Sequence, residues 1–575
     1  MGEQAATGKR AWLGPADVVI LTIVVAIAVV ALAQSWNRWL DPIVDAGRDL
    51  YIPEQLRHGA KLYRDIVYFY PPLTPYLLAV VTAVIGSSMA SYTAVGIVIA
   101  ALTAAILYVL GRVVANRTVG GVAAALFAAC SVATPWSRGG NYLFPYAHAA
   151  TLGMLFFLGF ACCLAAYLFV ERRPALIAGA LVFALAASWT KIEFAIFTTT
   201  LLIVFAAIHR IAARWIVAYG AAFAILLAVV SFIFRDCPPD RTWFLGNVFP
   251  DAMVGSGSLA GFYAKVAGLQ GWPALLLASA IGAAIFGVIV LILRSAEGAR
   301  RWPLLIVAAI VAIAFGASQA FFRAWSVVEL VVLVLAIRRP RQPLLFVTAL
   351  AICASSRIPL NLAPQWYGFV FCVPVYLLMA YFVLEWLPSH GVYSRAASAV
   401  WALAFAAAML QWLVSAHLVY GAKTHPIATA RGVLYDDNGD RAAILAAAGE
   451  AIRARGIDSL AFFPEGLTLN YLMKIPTPLA YYTFTPPETA SMLGEANAKA
   501  DFNAKNPEWV AVVARDVREF GYRGFGIDYD LRLAGAIRSR YHIDRRWSAR
   551  TFEFLLLRRN GGVAGATMPP SIPRE

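Results

Sequence analysis

Long apolar runs follow one another from Val18 to about Tyr420 and then stop, and short basic clusters separate them. A helix needs roughly 20 apolar residues to cross the hydrocarbon of a bilayer. The pattern therefore predicts crossings at 17–35, 91–111, 119–134, 146–170, 174–188, 192–208, 214–234, 273–293, 303–318, 323–337, 343–355, 366–386 and 397–419, about thirteen in all and several of them short. One further apolar stretch, Tyr76 to Ile85, is too short to span and reads as a half-inserted helix on the outer side.

The basic clusters fix an orientation, because Lys and Arg concentrate in cytoplasmic loops. Lys9-Arg10, Arg112 to Arg117, Glu171-Arg172-Arg173, His209 to Arg214, Arg294 to Arg301 and Arg338 to Arg341 all become cytoplasmic if an even number of crossings separates each pair. The N-terminus is then inside, and an odd number of crossings places everything after residue 420 outside. The first run, Val18 to Ala33, is long for a signal peptide and lacks a clear cleavage site, so it reads as a retained anchor.

Composition agrees with this picture. Hydrophobic residues make up 61% and charged ones 14% of 575, with a mean hydropathy of +0.70, whereas soluble chains carry about 25% charged residues. A formal charge of +15 is explained by the cytoplasmic loops and does not point to nucleic acid. Six scattered cysteines, five of them in or beside apolar segments, do not form a disulfide framework.

After residue 424 the period changes. "RAAILAAAGEAIRARG" reads as an amphipathic helix ending at Gly456, and "SLAFFPEG", "EWVAVVAR" and "TFEFLLLRR" read as strands. The expected organisation is a membrane module over 1–424 with an external loop at 36–90, an extracytoplasmic α/β domain over 425–560, and a disordered tail at 561–575, "GGVAGATMPPSIPRE" being rich in Gly and Pro.

On this topology the conspicuous polar residues gather outside. In the loop "DPIVDAGRDLYIPEQLRHGAKLYRDIVYFYPPLTPY", Asp41 is a good N-cap with Pro42 behind it, predicting a short helix to Leu50 and a second beyond Pro53. Asp41, Asp45 and Asp49 then share one face with Arg48 beside them, so a cation, a metal or a proton is shared there, or the face is simply solvated. Tyr63 and its neighbouring tyrosines suit a site or an interfacial belt. "SRGGNYLFPYAH" supplies Arg138, Asn141, Tyr142 and His148, the last either in a site or hydrogen-bonded to a neighbouring helix. Lys191 and Glu193 interrupt an apolar hairpin, and at helical spacing two residues apart do not face each other, so each is expected to find its own partner. Arg357, with Asn361 and Tyr367, offers a fork for a phosphate or snorkels to headgroups. Glu465 and Asn470 stand with Gly466 at a strand-to-helix turn, a common place for ligand contacts, though a cap and turn explain them as well. No Walker loop, no Gly-x-Gly-x-x-Gly after a strand, no Gly-x-Ser-x-Gly and no His-Glu-x-x-His occurs. An external site without nucleotide motifs points to a donor delivered on a lipid.

The order of "DAGRDLYIP", "LYRDIVYFYPPLTPYL", "NYLFPY", "TKIEF" and "FFPEGLTLNYL" along nearly the whole chain resembles the bacterial members of the GT-C glycosyltransferase superfamily, near the protein mannosyltransferase and aminoarabinose transferase branch. The resemblance implies transfer of a sugar from a polyprenyl-phosphate carrier to an envelope lipid, polysaccharide or protein on the outer face of the inner membrane of a bacterium. By position it makes Asp45 the catalytic base or its orienting partner, with Asp49 as substitute, and it needs positive charge for the leaving phosphate, for which Lys191 and Arg357, then Arg48, are the candidates. Related enzymes often carry a second acid in the next external loop. Here that loop has none, so either Glu193 supplies it or the first-loop acids act alone. No cofactor motif is evident, and a divalent metal between carboxylate and phosphate stays open.

Two other readings compete. A flippase for lipid-linked sugars should line a path through both halves of the membrane, yet the inner halves of the spans are nearly free of ionisable groups. A scaffold presenting the C-terminal domain leaves the Asp45 cluster without a role.

Overall fold

The computed structural model describes residues 14–134, 140–238, 257–296, 298 and 301–561. Lys9, Arg10 and Arg138, and the stretch from residue 562 expected to be disordered, lie outside the described residues.

Every predicted crossing is a helix. They are Pro15–Ser35, Met89–Val114, Arg117–Cys130, His148–Phe169, Pro174–Ser188, Ile192–His209, Ala213–Ile233, Trp272–Ser295, Arg301–Gly316, Ala320–Ile337, Pro343–Ser355, Gly368–Ser389 and Ala399–Gly421. Sequence explains several starts: Pro15, Pro174 and Pro343 occupy first helical positions, where the missing N–H has no partner to lose, and the Asn116 side chain accepts the N–H groups of Thr118 and Val119. Among the described residues nine helices are long and apolar enough to cross a membrane, so the chain is a multi-pass membrane protein. The other four predicted crossings have 13 to 16 residues and rise only about 20–24 Å, against a hydrocarbon core of about 30 Å. Length and composition thus single out nine of the thirteen described helices as crossings. The half-inserted stretch is a short helix, Leu73–Ile85, on which Val80 and Val84 are exposed. Small residues let the helices close up: a Cβ on Gly111 would lie 2.5 Å from the Gly120 nitrogen of the neighbouring helix.

The loop after the first helix departs from its prediction. No helix runs from Asp41 to Leu50; one helix spans Gly47–Arg57, with Pro53 inside it. Asp41 Oδ1 instead accepts the N–H groups of Ile43 and Val44 at 2.9 and 3.0 Å, closing a local turn. Asp45 then takes a left-handed conformation, φ 61°, which Asp tolerates better than most residues and which a continuous helix forbids. The three aspartates consequently do not line one face, and the expectation of a cation shared among them falls with the helix.

The C-terminal domain starts directly after Ala399–Gly421 with a hairpin, β1 (His425–Thr429) and β2 (Gly432–Asp436). A four-stranded sheet follows, built from β3 (Ala461–Phe463), β4 (Trp509–Val513), β5 (Tyr541–Ser548) and β6 (Glu553–Arg559) in the order β3-β4-β6-β5. β3 and β4 are parallel, and the other pairs are antiparallel. Helices Gly439–Ala454, Leu467–Met473, Glu495–Lys505 and Leu531–Arg540 complete an α/β domain. Sequence periodicity found β3, β4, β6 and the first helix, and missed the hairpin and β5, whose exposed Arg and Asp hide its alternation.

This domain is docked on the loop that follows the first helix. Trp39, Tyr51, Leu62 and Tyr63 share one hydrophobic core with Leu467, Leu472, Phe462 and Phe554. Arg431 grips both oxygens of Glu54 at 2.6 and 2.5 Å, Arg441 reaches Asp41 at 3.4 Å, and the Tyr51 hydroxyl accepts the Thr477 N–H at 2.9 Å. Gly47 permits the closest approach, since a Cβ there would lie 2.6 Å from the Leu467 carbonyl carbon.

Candidate active site

The turn that sets Asp45 apart also delivers it to the domain interface. Its backbone N–H donates to Glu465 Oε1 at 2.8 Å, and the second Glu465 oxygen accepts Arg515 Nε at 2.8 Å. Arg515 in turn donates to Glu519 at 2.8 Å. Glu465 follows β3 and precedes Leu467–Met473, so the strand-to-helix turn picked from sequence does reach the loop.

On its other side Asp45 meets Arg48, with Nη2 3.5 Å from Oδ1. Arg48 also donates to the Tyr146 carbonyl at 3.3 Å, and its guanidinium lies over the rings of Phe69 and Tyr70 at 5.5 and 5.6 Å. Tyr70 and Tyr146 carry the Lys191 ammonium at 5.3 and 5.5 Å, and Lys191 Nζ donates to the Tyr146 hydroxyl at 3.3 Å. Lys191 then pairs with Glu193 at 2.8 Å, and Arg357 Nε stands 3.7 Å from the same Glu193 oxygen. Arg357 lies 5.8 Å over Tyr367, whose ring meets Tyr146 edge-on at 4.8 Å. One continuous group thus runs from Glu465 through Asp45, Arg48 and Lys191 to Arg357, with three cations against Asp45 and Glu193 on the membrane-module side.

The Lys191–Glu193 contact corrects the expectation of separate partners. Lys191 is extended, φ −153° and ψ 139°, and precedes the helix Ile192–His209, so helical spacing does not govern the pair.

Asp45 keeps 39% of its side chain exposed, against 18% for Glu193 and 7% for Glu465. Burial and then the charge of Glu465 push its carboxyl up to about 7, against the pull of Arg48. With the side chain partly open, desolvation is incomplete and Glu465 carries more of the upward direction. Asp41 behaves oppositely: burial works to raise it, but Arg441 and the N–H groups of Ile43 and Val44 bring it to about 2. An acid held this low is a poor proton acceptor and a good anchor.

The remaining sequence candidates are committed elsewhere. Asp49 Oδ2 accepts both the backbone N–H of His148 and, at 3.1 Å, its Nδ1. Tyr63 donates to the Tyr70 carbonyl at 2.7 Å. Asn141 Oδ1 holds the N–H groups of Leu143 and Phe144 at 2.9 and 2.8 Å, and Tyr142 packs edge-on between Phe127 and Phe369. Asn361 reaches the Val266 carbonyl at 3.4 Å, and Asn470 donates to the carbonyls of Leu460 and Ile475 at 2.9 Å each. Among the described residues no group of three or more His, Cys, Asp or Glu is placed to hold a metal. Tyr146 and Arg515 were not singled out from sequence, and Tyr70 stood there only as one of the loop tyrosines with Tyr63, Tyr68 and Tyr76: one tyrosine is lost among many, and an Arg after a strand has no local signature.

No family model and no curated protein matches the chain. Among solved structures, ArnT from Cupriavidus metallidurans bound to undecaprenyl phosphate is similar with a TM-score of 0.50 and 13% identity, over 96% of this chain and 100% of that one. The archaeal oligosaccharyltransferase AglB from Archaeoglobus fulgidus, in complex with an inhibitory peptide and a dolichol-phosphate, gives 0.47 and 12%, over 88% and 70%. At such identity the likeness to ArnT, an aminoarabinose transferase, is one of fold. The chain shares the fold of ArnT, with a mainly helical membrane module carrying a C-terminal α/β domain.

Proposed function

We propose that this GT-C-fold chain is an inverting glycosyltransferase that moves a sugar from a polyprenyl-phosphate carrier to an envelope lipid, polysaccharide or protein on the outer face of a bacterial inner membrane. The observation that carries the reading is the placement of Asp45, the most open acid of the group, at one end of the row Arg48, Lys191 and Arg357.

The chemistry follows from that row. The phosphate of the lipid donor binds Lys191 and Arg357, with Arg48 on the Asp45 side. Asp45 takes the proton of an acceptor hydroxyl, whose oxygen attacks the anomeric carbon from the face opposite the phosphate. The new carbon–oxygen bond forms as the bond to the phosphate oxygen breaks, and the cations receive the charge that develops there. The polyprenyl phosphate leaves, and the proton on Asp45 returns to solvent. A carboxyl raised to about 7 suits this task better than an ordinary one, because its basicity approaches that needed at neutral pH.

The topology that goes with this reading has a cytoplasmic N-terminus, an external loop at 36–90 and an extracytoplasmic C-terminal domain, as the basic clusters require. Docking of that domain on the first loop supports placing the two on one side.

The test is mass spectrometry of envelope glycans and polyprenyl-phosphate sugars in cells carrying wild type or Asp45→Asn at matched protein level. Loss of one sugar from an acceptor with accumulation of its lipid-linked donor is expected. A profile unchanged in Asp45→Asn but altered by deletion of the protein removes Asp45 from the reaction.

A further inference from the structure

Asp45 is held from behind by a residue that makes no contact with it. β3 and β4 are the parallel pair of the C-terminal sheet, with Phe463 beside Val512, so both strands end on the same side. Glu465 stands two residues after Phe463, and Arg515 stands three after Val512. The carboxyl ends of parallel strands are where an open α/β sheet receives its ligand. Here the Asp45 turn takes that place: the Asp45 N–H donates to Glu465 Oε1 at 2.8 Å, and Thr468 Oγ1 donates to the Ile43 carbonyl at 3.5 Å.

Arg515 spends its whole guanidinium inside its own domain. Nε donates to the second Glu465 oxygen and Nη2 to Glu519, each at 2.8 Å, and Nη1 donates to the Asp516 carbonyl. The group lies 5.9 Å over the Phe520 ring, and the side chain is 6% exposed. None of these contacts crosses to the membrane module. The ion pairs that do cross are Arg431 with Glu54 and Arg441 with Asp41, and they suffice for docking.

Pairing with Glu519 alone would give a buried guanidinium its countercharge. The bond to Glu465 adds something different, because it fixes the one carboxylate that holds the Asp45 N–H. A third group that orients the reacting pair recurs wherever a base must be aimed. Asp45 needs such a hold, since its left-handed backbone, φ 61°, is uncommon for any residue with a side chain. A planar fork supplies direction as well as charge, which an ammonium does not.

We infer that Arg515 is a positioning residue for transfer: its fork fixes Glu465, Glu465 holds the Asp45 turn, and the Asp45 carboxylate is thereby aimed at the acceptor hydroxyl. The inference rests on the glycosyltransferase reading with Asp45 as base, and it makes the C-terminal domain a part of the active site. The charged groups that face Asp45 are Glu465 and Glu519, which raise its carboxyl, and Arg48 and Arg515, which lower it. Loss of the Arg515 charge therefore moves the acid limb of transfer to higher pH, while loss of the fork lowers the plateau.

The experiment compares wild type, Arg515→Met and Arg515→Lys as full chains in lipid nanodiscs, with two readouts. The first is hydrogen exchange of the Asp45 amide, expected to be about tenfold faster in both variants as its acceptor loosens. The second is transfer from pH 5 to 9, using the donor that accumulates and the acceptor left unmodified in Asp45→Asn cells. The plateau should fall about 10²-fold in Arg515→Met with undecaprenyl-phosphate binding unchanged by native mass spectrometry, and its limb should move up. Arg515→Lys keeps the charge without the fork, so its limb should stay while its plateau falls, and it decides the matter if Arg515→Met does not fold. Wild-type exchange at the Asp45 amide in the folded variants, or faster exchange with a wild-type plateau, overturns the inference. Failure of the transferase reading shows separately, as no accumulated donor in Asp45→Asn cells, and the exchange readout still tests the hold of Arg515 on the turn.

Discussion

Asp49 and His148 are joined twice: one carboxylate oxygen accepts both the backbone N–H and, at 3.1 Å, the Nδ1 of the histidine. The pair is almost fully buried, and it ties the helix Gly47–Arg57 to the first turn of His148–Phe169. The loop after the first helix is thereby anchored to the membrane module two residues from where Gly47 meets the C-terminal domain, and Asp49 acts as a strut rather than a second base.

That assignment separates the two aspartates. Asp49→Ala leaves two buried donors without a partner, at about 1–3 kcal/mol each, so it should lower the thermal unfolding midpoint of the purified protein. Asp45→Asn should leave that midpoint nearly unchanged and abolish transfer. Equal midpoints for wild type and Asp49→Ala, with loss of transfer in the latter, return Asp49 to the chemistry.

How much of this was legible follows from range. Among the described residues hydropathy alone marked each of the nine helices long enough to cross, because each run of side chains faces lipid or other helices over its whole length. The Asp45 turn was not legible: a four-residue spacing of aspartates suits a helix, and nothing local shows that Asp41 closes a turn with Ile43 and Val44 instead. The partners of Asp41, Glu54 and Asp45 are Arg441, Arg431 and Glu465, which lie in another domain and carry no signal in a single sequence. Cations were easier to pick than their contacts. Lys191, Arg357 and Arg48 stood out against an apolar background, whereas the tyrosines that hold them did not.

The raised Asp45 carboxyl sets a pH dependence. Only the deprotonated form accepts a proton, so transfer should rise with pH through an acid limb near 7. Glu465→Gln removes a repulsive charge while keeping an acceptor for the Asp45 N–H, and should move the limb to lower pH. Arg48→Gln removes an attractive charge and should move it upward, with a lower plateau. Rates measured from pH 5 to 9 at saturating donor check both signs, and a limb fixed in both variants assigns the titration to another group.

Lys191 and Arg357 share Glu193, and their roles separate on that basis. Lys191→Met removes the cation between Tyr70 and Tyr146 and leaves Glu193 to Arg357. Loss of one preorganised charge at a leaving phosphate lowers turnover about 10²–10³-fold. Glu193→Gln removes the negative charge that the two cations share and should bind undecaprenyl phosphate at least as tightly as wild type. Single-turnover rates and native mass spectrometry of carrier binding check the two halves. Weaker carrier binding in Glu193→Gln makes the acid part of the site instead of a brace.

Docking of the C-terminal domain is itself testable at Gly47. A methyl group there would overlap the backbone of Leu467 and Thr468, which belongs to the helix following Glu465. Backbone cannot yield as a flexible side chain does, so Gly47→Ala should push that helix away and pull Glu465 off the Asp45 N–H. The Glu54–Arg431 pair, both partners mostly buried, clamps the same interface, and Glu54→Ala costs about 3–5 kcal/mol by leaving the Arg431 guanidinium with the Ser87 and Tyr471 carbonyls but no carboxylate. Both variants should expose the segment between Gly421 and His425 to limited proteolysis while the membrane module stays folded. If docking aligns the acids of the two domains, transfer should fall in step with protection of that segment. Wild-type protection with lost transfer in Gly47→Ala would place the effect in the Asp45 turn alone.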